Sequence, residues 1–340
     1  MLEPPTRAPK TTSREVARRA GVSQSTVSRV FSARGPVAGA TSQRVLHAAA
    51  QLGYRPNAIA SSLITRRTNM IGLVMAEISS PFYPYVLEKL TQQLHEHGKR
   101  VLLFSTAPGK DVDDLLSDVL SYQVDGLIIG NAMLTSQLVE ICTRSGIPLM
   151  LFNRTAQDSQ AGAVCCDNVG GGRLVADLLL DAGHTRLAYI AGKPNTSTNR
   201  DREHGFATRL HERGYTQSIR EQGAYTYETG YAAAQRLFAR ARPPDAIFCA
   251  NDITALGALD AACDCGVSVP QHCSIIGFDD IPAAAWTSYN LTTIRQPVDA
   301  MVELSIQLLL AQIATPAHTP QTIQVPGELI VRRSARMRRA

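Results

Sequence analysis

The sequence predicts two units of different fold class: a small all-α head of three helices with a short hinge helix, and a larger α/β body of two Rossmann-like lobes. Residues 12–31 have the pattern of two short helices joined by a tight turn, and basic residues are concentrated in the first 67 positions. From Met70 onward, apolar runs of strand length alternate with amphipathic helices. This alternation is typical of a doubly wound parallel sheet.

The first two helices have suitable residues at their ends. Thr12 or Ser13 can cap the first helix, and Gly21 can end it because glycine adopts the left-handed conformation at low cost. Ser23 supplies a hydroxyl that can cap the second helix. The segment is therefore predicted to fold as a helix, a tight turn and a second helix.

The second helix has an apolar face and a polar face. The apolar positions are Val27, Val30 and Phe31, and the polar positions are Gln24, Ser25, Ser28 and Arg29. Amide, hydroxyl and guanidinium groups can pair with base edges and phosphates in a DNA major groove. The alternative is an amphipathic hairpin whose basic face is only solvated.

The charge distribution favours DNA binding over that alternative. Residues 1–67 hold 11 basic and 2 acidic residues, a net charge of +9. The remaining 273 residues hold 23 basic and 27 acidic residues, a net charge of −4. Positive charge concentrated at one end of a chain is what a phosphate-binding module requires.

A third helix and a hinge complete the predicted head. The helix is expected to begin at Thr41, with Val45, Ala49 and Leu52 on its inner face, and to end at Gly53. Three helices around one small apolar cluster form a minimal DNA-binding domain of roughly fifty residues, near the lower limit for independent stability.

The hinge follows the third helix. Pro56 breaks the preceding element, and Asn57 can cap a short helix of residues 58–63. So short a helix is unstable alone, so its folding would be coupled to a partner or to DNA. Leu63, next to basic residues, could wedge between base steps in the minor groove or pack on the next domain.

The body is predicted to contain two similar series of strand and helix units, joined near residues 155–165. Parallel sheets of this kind bind ligands beyond the carboxyl ends of their strands. Two such lobes with a cleft between them would form a site for a small molecule.

Composition and motifs argue against other classes of protein. The chain has no apolar run of eighteen residues and no signal-peptide pattern, so a cytoplasmic protein is expected. HExxH, GxSxG and GxxxxGK[ST] motifs are absent, so we expect no enzyme and no cofactor. Gly170, Gly171 and Gly172 lack a phosphate-loop lysine and are expected to permit close packing of a helix on a strand.

The seven cysteines are odd in number and mostly lie in apolar segments, which indicates buried, reduced thiols. A zinc site is the alternative for Cys263, Cys265, His272 and Cys273. Residues two apart on a helix point to different sides, so Cys263 and Cys265 would diverge. We therefore expect no metal site.

The chain resembles a lactose/galactose-repressor-type (LacI family) transcriptional regulator over residues 11–334. The most specific stretches are EVARRAGVSQSTVSRVF and QRVLHAAAQLGYRPNAIASSL, which resemble the family's helix-turn-helix, third helix and hinge helix. Family signatures also occur downstream: DNVGGGRLVADLLLDAGHTRLAYIAG, FCANDITALGAL, IIGFDDIP, LTTIRQP and VPGELIVRRS. The resemblance implies that the two-lobed body has the periplasmic-binding-protein fold.

The resemblance implies roles in DNA binding for nine residues. Gln24, Ser25 and Arg29 would read bases, and Ser23, Thr26 and Ser28 would help to hold phosphates. Asn57 and Ala60 would belong to the hinge helix, and Leu63 would be the leucine that wedges into the minor groove.

The resemblance also implies an effector site in the cleft, formed by Phe82, Tyr83, Asn153, Arg200, Tyr225, Asn251 and Asp279. Arginine, asparagine and aspartate can pair with hydroxyl groups, and aromatic rings can stack on a sugar. The alternatives are that Asp279 and Asp280 cap the turn before Pro282, and that Arg200 pairs across the surface.

The implied domains are a disordered arm (1–10), the helix-turn-helix domain (11–56), the hinge (57–68), the two-lobed domain (69–334) and a basic tail (335–340). The lobes would be residues 69–155 with 296–325, and 156–295 with 326–334. Ala38 stands where the family usually has a serine or aspartate cap, which weakens one expected phosphate contact.

The implied function is that of a nucleoid-associated cytoplasmic repressor. A homodimer would bind a pseudopalindromic operator, and a sugar or sugar acid in the cleft would control its affinity. A dimer is expected because no leucine-heptad tail follows Ser334. The second hypothesis is a sugar-binding sensor or transport protein without DNA binding, although the basic head and the missing export signal argue against it.

Overall fold

The computed structural model describes residues 11–32, 37–55, 67–75, 80–105, 115–130, 136–156, 161–215, 218–315 and 319–337. The chain divides into two compact units, Met1–Thr68 and Asn69–Ala340. The predicted arm (1–10), most of the hinge with Asn57, Ala60 and Leu63, and residues 338–340 of the tail lie outside the described residues.

The first unit contains three helices: α1 (Ser13–Ala20), α2 (Gln24–Ser32) and α3 (Gly39–Gln51). Thr12 caps α1 in a reciprocal arrangement, because its side chain accepts from the Glu15 amide while its own amide donates to the Glu15 carboxylate. Gly21 ends α1 with a φ of 63°. The Ser23 hydroxyl accepts from the Thr26 amide at 3.1 Å and so caps α2 as predicted.

A small apolar cluster holds the three helices together. Val16, Val27 and Val45, one from each helix, are at most 1% exposed. At the edge of the cluster, the rings of Phe31 and Tyr54 meet edge to face with centroids 5.7 Å apart. The predicted inner faces of the second and third helices are confirmed.

The predicted start of the third helix is wrong. α3 begins at Gly39 rather than after Thr41, and Ala38 precedes it without a side-chain cap. The Thr41 amide donates to the Ala38 carbonyl, so Thr41 lies inside the first turn. The backbone completes this turn although the sequence offers no capping side chain.

The second unit contains the strands and helices of the α/β body. Its strands are β1 (Met70–Met75), β2 (Arg100–Ser105), β3 (Gly126–Ile129), β4 (Leu149–Phe152), β5 (Gly162–Cys166), β6 (Leu187–Ala191), β7 (Ile219–Gln222), β8 (Ala246–Cys249), β9 (Ser274–Asp279), β10 (Thr292–Arg295), β11 (Thr322–Val325) and β12 (Glu328–Ile330). Its helices are α4 (Phe82–Glu96), α5 (Leu116–Ser121), α6 (Ser136–Arg144), α7 (Asn168–Asp181), α8 (Ser197–Glu212), α9 (Tyr227–Phe238), α10 (Asp252–Asp264) and α11 (Val298–Ala314), with a 3₁₀ turn at Pro282–Ala285.

The strands form two six-stranded sheets, one in each lobe. The first sheet has the order β11-β5-β4-β3-β1-β2, and every pair in it is parallel. The second has the order β12-β10-β9-β8-β6-β7, in which only the pair of β12 with β10 is antiparallel. The predicted pair of doubly wound lobes is confirmed.

The boundary between the lobes differs from the prediction at residue 155. β5 pairs with β4 and β11, so residues 162–166 belong to the first sheet. The chain then crosses to the second lobe before α7, returns between β10 and α11, and crosses again between β11 and β12. Three crossings join the lobes.

Glycines permit close packing in the second lobe. Gly171 on α7 faces the Phe278 ring of β9, as expected for helix on strand. Gly172 instead faces the backbone of α8 at Arg202, and Gly205 on α8 faces the Val169 carbonyl of α7. The same glycine run therefore also brings two helix backbones together.

Gly205→Ala should lower the free energy of unfolding of the second unit by about 2 kcal/mol, because the added methyl group would collide with a rigid backbone carbonyl. Denaturant unfolding of the full chain measures this change. Gly39→Ala is the control, since nothing lies within 4 Å of the position of its added methyl group. Equal stability of the Gly205→Ala variant and the unsubstituted protein would contradict the close helix contact.

Candidate functional sites

The first candidate site is the outward face of α2. Gln24, Ser25, Ser28 and Arg29 are all exposed, whereas Val27 of the same helix is buried. The Gln24 amide nitrogen donates to the Ser13 hydroxyl at 3.0 Å. A polar, solvent-facing helix surface of this kind can approach base edges.

Ser23 and Thr26 lie at the beginning of the same helix. Besides capping α2, the Ser23 hydroxyl lies 2.8 Å from both the Ser25 and Thr26 hydroxyls. These three side chains form a local hydrogen-bonded group at the helix N-terminus. The N-terminus of a helix carries partial positive charge and unsatisfied amide groups, which suits contact with a phosphate.

The described part of the head also presents unpaired positive charge. Its exposed arginines are Arg14, Arg18, Arg19, Arg29, Arg44 and Arg55. No salt bridge is found among residues 11–32 and 37–55. Arginines that are not neutralised within the domain remain available to phosphates.

The second candidate site is a cleft of about 340 Å³ in the body. Both lobes line it at the carboxyl ends of their strands, where the predicted fold would place a ligand. Six of the seven residues predicted for this site line it: Phe82, Tyr83, Asn153, Tyr225, Asn251 and Asp279. The structure thus brings together residues that are almost 200 positions apart in the chain.

Arg200, the seventh residue, does not line the cleft. Its side chain is 55% exposed, and its Nε lies 2.9 Å from the Asp201 carboxylate. This surface pairing is the alternative that the sequence left open. Arg202, two residues further along α8, lines the cleft instead.

Arg202 is 2% exposed, and each nitrogen of its guanidinium group has a partner. Its Nε donates to Asn168 Oδ1 at 2.8 Å and its Nη1 to the Ala250 carbonyl at 2.5 Å. Its Nη2 lies 3.4 Å from Asp279 Oδ1, and the guanidinium carbon lies 3.6 Å from the centroid of the Phe278 ring. The orientation of this charge is therefore fixed without any ligand.

Asp279 ends β9 in the cleft. Besides Arg202, it accepts a hydrogen bond from Gln296 Nε2 at 2.7 Å. Burial raises the pKa of Asp279 above the usual carboxyl range, and the nearby Arg202 charge opposes that rise. Asp280 pairs with Arg295 and Arg332 instead, so neither aspartate has the turn-capping role that was the alternative.

Asp252, the first residue of α10, contacts the residues that follow the end of β9 and the neighbouring strand β10. It is fully buried, and it accepts from the Ile281 amide at 2.8 Å and from the Thr293 hydroxyl at 2.5 Å. Burial first, and then the charge of Asp279, raise the pKa of Asp252 well above the usual carboxyl range. The sequence analysis did not identify Asp252, although it follows Asn251 directly.

Asn153 and Asn251 offer different groups to the cleft. The Asn251 oxygen is used in capping α10, because it accepts from the Thr254 amide and hydroxyl. The Asn153 oxygen is buried and has no hydrogen-bond partner among the described residues. An unpaired buried acceptor in a cleft indicates a ligand that brings a donor.

The aromatic side chains form the walls of the cleft. Phe82 and Tyr83 meet edge to face with centroids 5.3 Å apart, and burial raises the pKa of Tyr83. The Tyr225 hydroxyl lies 3.0 Å from the Thr198 hydroxyl. These rings and hydroxyls can contact a flat or hydroxylated ligand.

Ten residues that line the cleft were not predicted from the sequence, among them the four polar or cationic residues Arg154, Lys193, Thr198 and Arg202. Two of these four residues lie close to features that the sequence does show, because Arg154 directly follows the predicted site residue Asn153 and Lys193 closely follows strand β6. Their position at strand ends could have been recognised. The position of Thr198 and Arg202 depends on the rotation of α8, which the sequence pattern shows less clearly.

The described residues contain no group of three or more His, Cys, Asp or Glu side chains able to hold a metal ion. Of the four residues considered for zinc, Cys273 is buried, whereas Cys263 and Cys265 are exposed. Among the described helices, none has the length and apolar character needed to cross a membrane.

Comparisons with known proteins find a match for each of the two units. Residues 12–57 match the model of bacterial regulatory proteins of the lacI family, and residues 176–335 match a periplasmic binding protein-like domain. The chain is 34% identical over 302 residues to the HTH-type transcriptional regulator GalS of Salmonella typhimurium, covering 88% of this chain and 89% of GalS.

Two solved structures have the same fold over nearly the whole chain. The transcriptional regulator CelR in complex with cellobiose matches with a TM-score of 0.74 and 30% identity, covering 96% of this chain and 100% of CelR. The lac repressor bound to ONPG in the repressed state matches with a TM-score of 0.85 and 25% identity, with the same coverages. The predicted fold class is confirmed.

Asp252→Asn should make the thermal stability of the body less dependent on pH. A carboxyl group whose folded-state pKa is raised binds its proton more tightly in the folded than in the unfolded chain. Its contribution to stability is complete below the unfolded pKa of about 4 and is lost as pH rises through the folded pKa. Unfolding midpoints at pH 5, 6.5 and 8 measure the effect.

The unsubstituted protein should lose more stability between pH 5 and pH 8 than the Asp252→Asn variant. Asp299→Asn is the control, because this carboxylate is 66% exposed and pairs with Lys89 at the surface. Parallel pH profiles for the unsubstituted protein and the Asp252→Asn variant would show that Asp252 is not protonated in the folded chain.

Proposed function

Because the chain belongs to the lacI family of bacterial regulatory proteins, it is a DNA-binding transcriptional regulator of the repressor type, and we propose that a small effector controls its operator binding. In this proposal a dimer binds a pseudopalindromic operator in the cytoplasm. The observation that carries it is the combination, in one chain, of an exposed polar helix on a basic head with a polar cleft in a two-lobed body.

In the proposed complex, α2 lies in the major groove. Gln24 and Arg29 present an amide and a guanidinium, which pair with adenine and guanine edges, and Ser25 adds a hydroxyl. Ser23, Thr26 and Ser28 contact phosphates and so fix the position of the helix. In this proposal, control of DNA binding comes from the body, because the cleft lies there.

The hinge remains a prediction from the sequence. Asn57 and Ala60 would form the hinge helix on DNA, and Leu63 would wedge between base steps in the minor groove. A helix of this length gains stability only from such contacts. Its folding would therefore depend on the spacing that the two bodies of a dimer impose on their hinges.

The cleft is the proposed effector site. Phe82, Tyr83 and Asn153 belong to the first lobe, whereas Arg202 and Asp279 belong to the second, so a ligand that contacts both sets would favour a closed arrangement of the lobes. A ligand shifts such an equilibrium only by its difference in affinity for the two states. Effector binding and operator binding would be linked in this way.

A sugar-derived effector agrees with the relatives. CelR is described in complex with cellobiose, and the lac repressor with ONPG. In this chain, buried amide and carboxylate oxygens and aromatic rings give the cleft the groups that hydroxylated rings require. We propose that the effector of this chain is also derived from a sugar.

Arg29→Ala should weaken specific operator binding by roughly 10- to 100-fold, because a bidentate arginine contact to a base contributes 1–3 kcal/mol of discrimination. Non-specific DNA binding should weaken much less. Gel shifts of the full chain on DNA from its own promoter and on scrambled DNA measure both affinities. Arg242→Ala, an exposed arginine of the body, is the control. Equal losses on both DNAs would contradict base reading.

Arg202→Gln should abolish the response to effector while operator binding remains, and Arg200→Gln should leave both unchanged. The measurement is operator affinity with and without a ligand chosen by thermal shift from a panel of sugars and sugar derivatives. Because Arg202→Gln leaves Asp279 without its cation, the double variant with Asp279→Asn tests whether instability causes the loss. A full response in the folded double variant would contradict the proposed site.

A further inference from the structure

A side-chain hydrogen bond joins the first residues of α1 and α2. Ser13 begins α1 and Gln24 begins α2, and Gln24 Nε2 donates to the Ser13 hydroxyl oxygen at 3.0 Å. The two residues are 11 positions apart, so the bond brings the starts of two helices together. Gln24 is exposed and Ser13 is half-buried, which places the bond at the surface of the head. The Gln24 amide is therefore tied to a residue of the preceding helix.

The three residues proposed to read bases differ in their contacts. The Ser25 hydroxyl lies 2.8 Å from the Ser23 hydroxyl, which is next to α2 itself. The Arg29 side chain has no hydrogen-bond or ion-pair partner in the described part of the chain. Of the three, only Gln24 is held by a residue of another helix. The orientation of its amide can therefore be changed without a substitution in α2.

A glutamine amide can present two different patterns to DNA. It has two N–H donors and one carbonyl oxygen, and the bond of one N–H to Ser13 leaves one donor and the oxygen. This pair matches adenine, which offers the N6 amino group and the N7 acceptor in the major groove. The reverse orientation, with the oxygen toward Ser13, leaves two donors, which match the O6 and N7 acceptors of guanine. The orientation of the Gln24 amide thus decides which base it suits.

The Ser13 hydroxyl can keep the amide in the first orientation on DNA. A serine hydroxyl donates one proton and also accepts. The first helix of a helix-turn-helix unit crosses the DNA backbone, and the start of a helix carries partial positive charge that favours a phosphate. Ser13 lies at that start. When its proton is donated to a phosphate oxygen, which can only accept, the Ser13 oxygen remains as the acceptor for Gln24 Nε2.

DNA binding gives this bond more weight than it has in the free protein. In solvent, water competes for both partners, so the net contribution of one hydrogen bond is small. At an interface, a polar group that loses water without gaining a partner bears its full desolvation cost. An amide held by Ser13 therefore favours the base that satisfies its remaining N–H and oxygen.

We propose that Ser13 is a positioning residue that sets the base preference of Gln24. It holds Gln24 Nε2, so that the carbonyl oxygen and the second N–H pair with an adenine of the operator. This inference rests on the proposed function of α2 in DNA binding. It deepens that function, because it names the base that Gln24 reads and a residue outside α2 that determines the choice.

The test begins with selection of binding sites by the full chain from a library of randomised double-stranded DNA. The operator position at which Gln24→Ala removes a base preference is the Gln24 position, and Arg29→Ala defines the Arg29 position in the same way. At the Gln24 position, the unsubstituted protein should prefer adenine to guanine by roughly tenfold. Preference for guanine there would overturn the proposal, because it requires the reverse orientation of the amide.

Ser13→Ala should reduce the preference at the Gln24 position by roughly threefold or more and leave the preference at the Arg29 position unchanged. Ser13→Thr should restore it, because threonine keeps the hydroxyl. Ser42→Ala, the same change at a half-buried serine of α3, is the control and should alter neither preference. A general loss of affinity with both preferences intact would show a structural role only and would contradict positioning.

A double substitution separates positioning from an independent contact with the base. If Ser13 acts through Gln24, Ser13→Ala should cause no further change at that position in the Gln24→Ala variant. A further loss would show that Ser13 reads the base itself, against the proposal. Affinity for scrambled DNA shows that each head is folded. Ser13→Pro repeats the test if Ser13→Ala does not fold, because proline is favoured at the first position of a helix.

The Gln24→Ala variant keeps this inference separate from the proposed function. If it changes the preference at no position, Gln24 reads no base, and the inference fails together with that part of the proposed function. If it removes a preference that Ser13→Ala leaves intact, base reading by α2 stands and the positioning role of Ser13 is wrong.

Discussion

The buried charge of Arg202 is the constraint on which the second lobe depends. A guanidinium stays protonated at any ordinary pH, so its burial requires partners in fixed positions. Asn168, the Ala250 carbonyl and Asp279 supply them from the start of α7 and the ends of β8 and β9. One side chain thereby sets the relative position of three elements, and all three end at the cleft. The surface of the cleft is thus organised by contacts within the chain itself.

Close packing of helices makes this burial possible. The α7 glycine Gly172 lies against the backbone at Arg202, and Gly205 lies against the backbone of α7. Larger residues would separate the helices and move the guanidinium away from Asn168. The head is stabilised in a different way. It has few core side chains, and local capping at Thr12 and Ser23 supports its helices. A head stabilised locally can leave its α2 surface free for DNA.

Most elements were predictable from the sequence because apolar runs and helical periodicity are local signals. The main error in the cleft was the assignment of Arg200, because Arg202 lines it instead. Residues two apart on a helix point about 200° apart, so only one can face inward. Gly205 and Phe206, three and four residues after Arg202, mark the buried face and were a usable signal. The sheet to which strand β5 (residues 162–166) belongs could not be predicted from such local signals, because strand pairing depends on partners distant in the chain.

Several residues that line the cleft, or lie next to it, have a strained backbone conformation. Asn153, Tyr225 and Asp279 line the cleft with φ values of 57°, 63° and 128°, and Asp280 follows at 53°. Such conformations are costly for residues other than glycine, by about 1–3 kcal/mol each. The Asn153 oxygen is unpaired as well. A ligand that satisfies these groups stabilises the arrangement it contacts, and its binding energy is then available to favour one arrangement of the lobes over another.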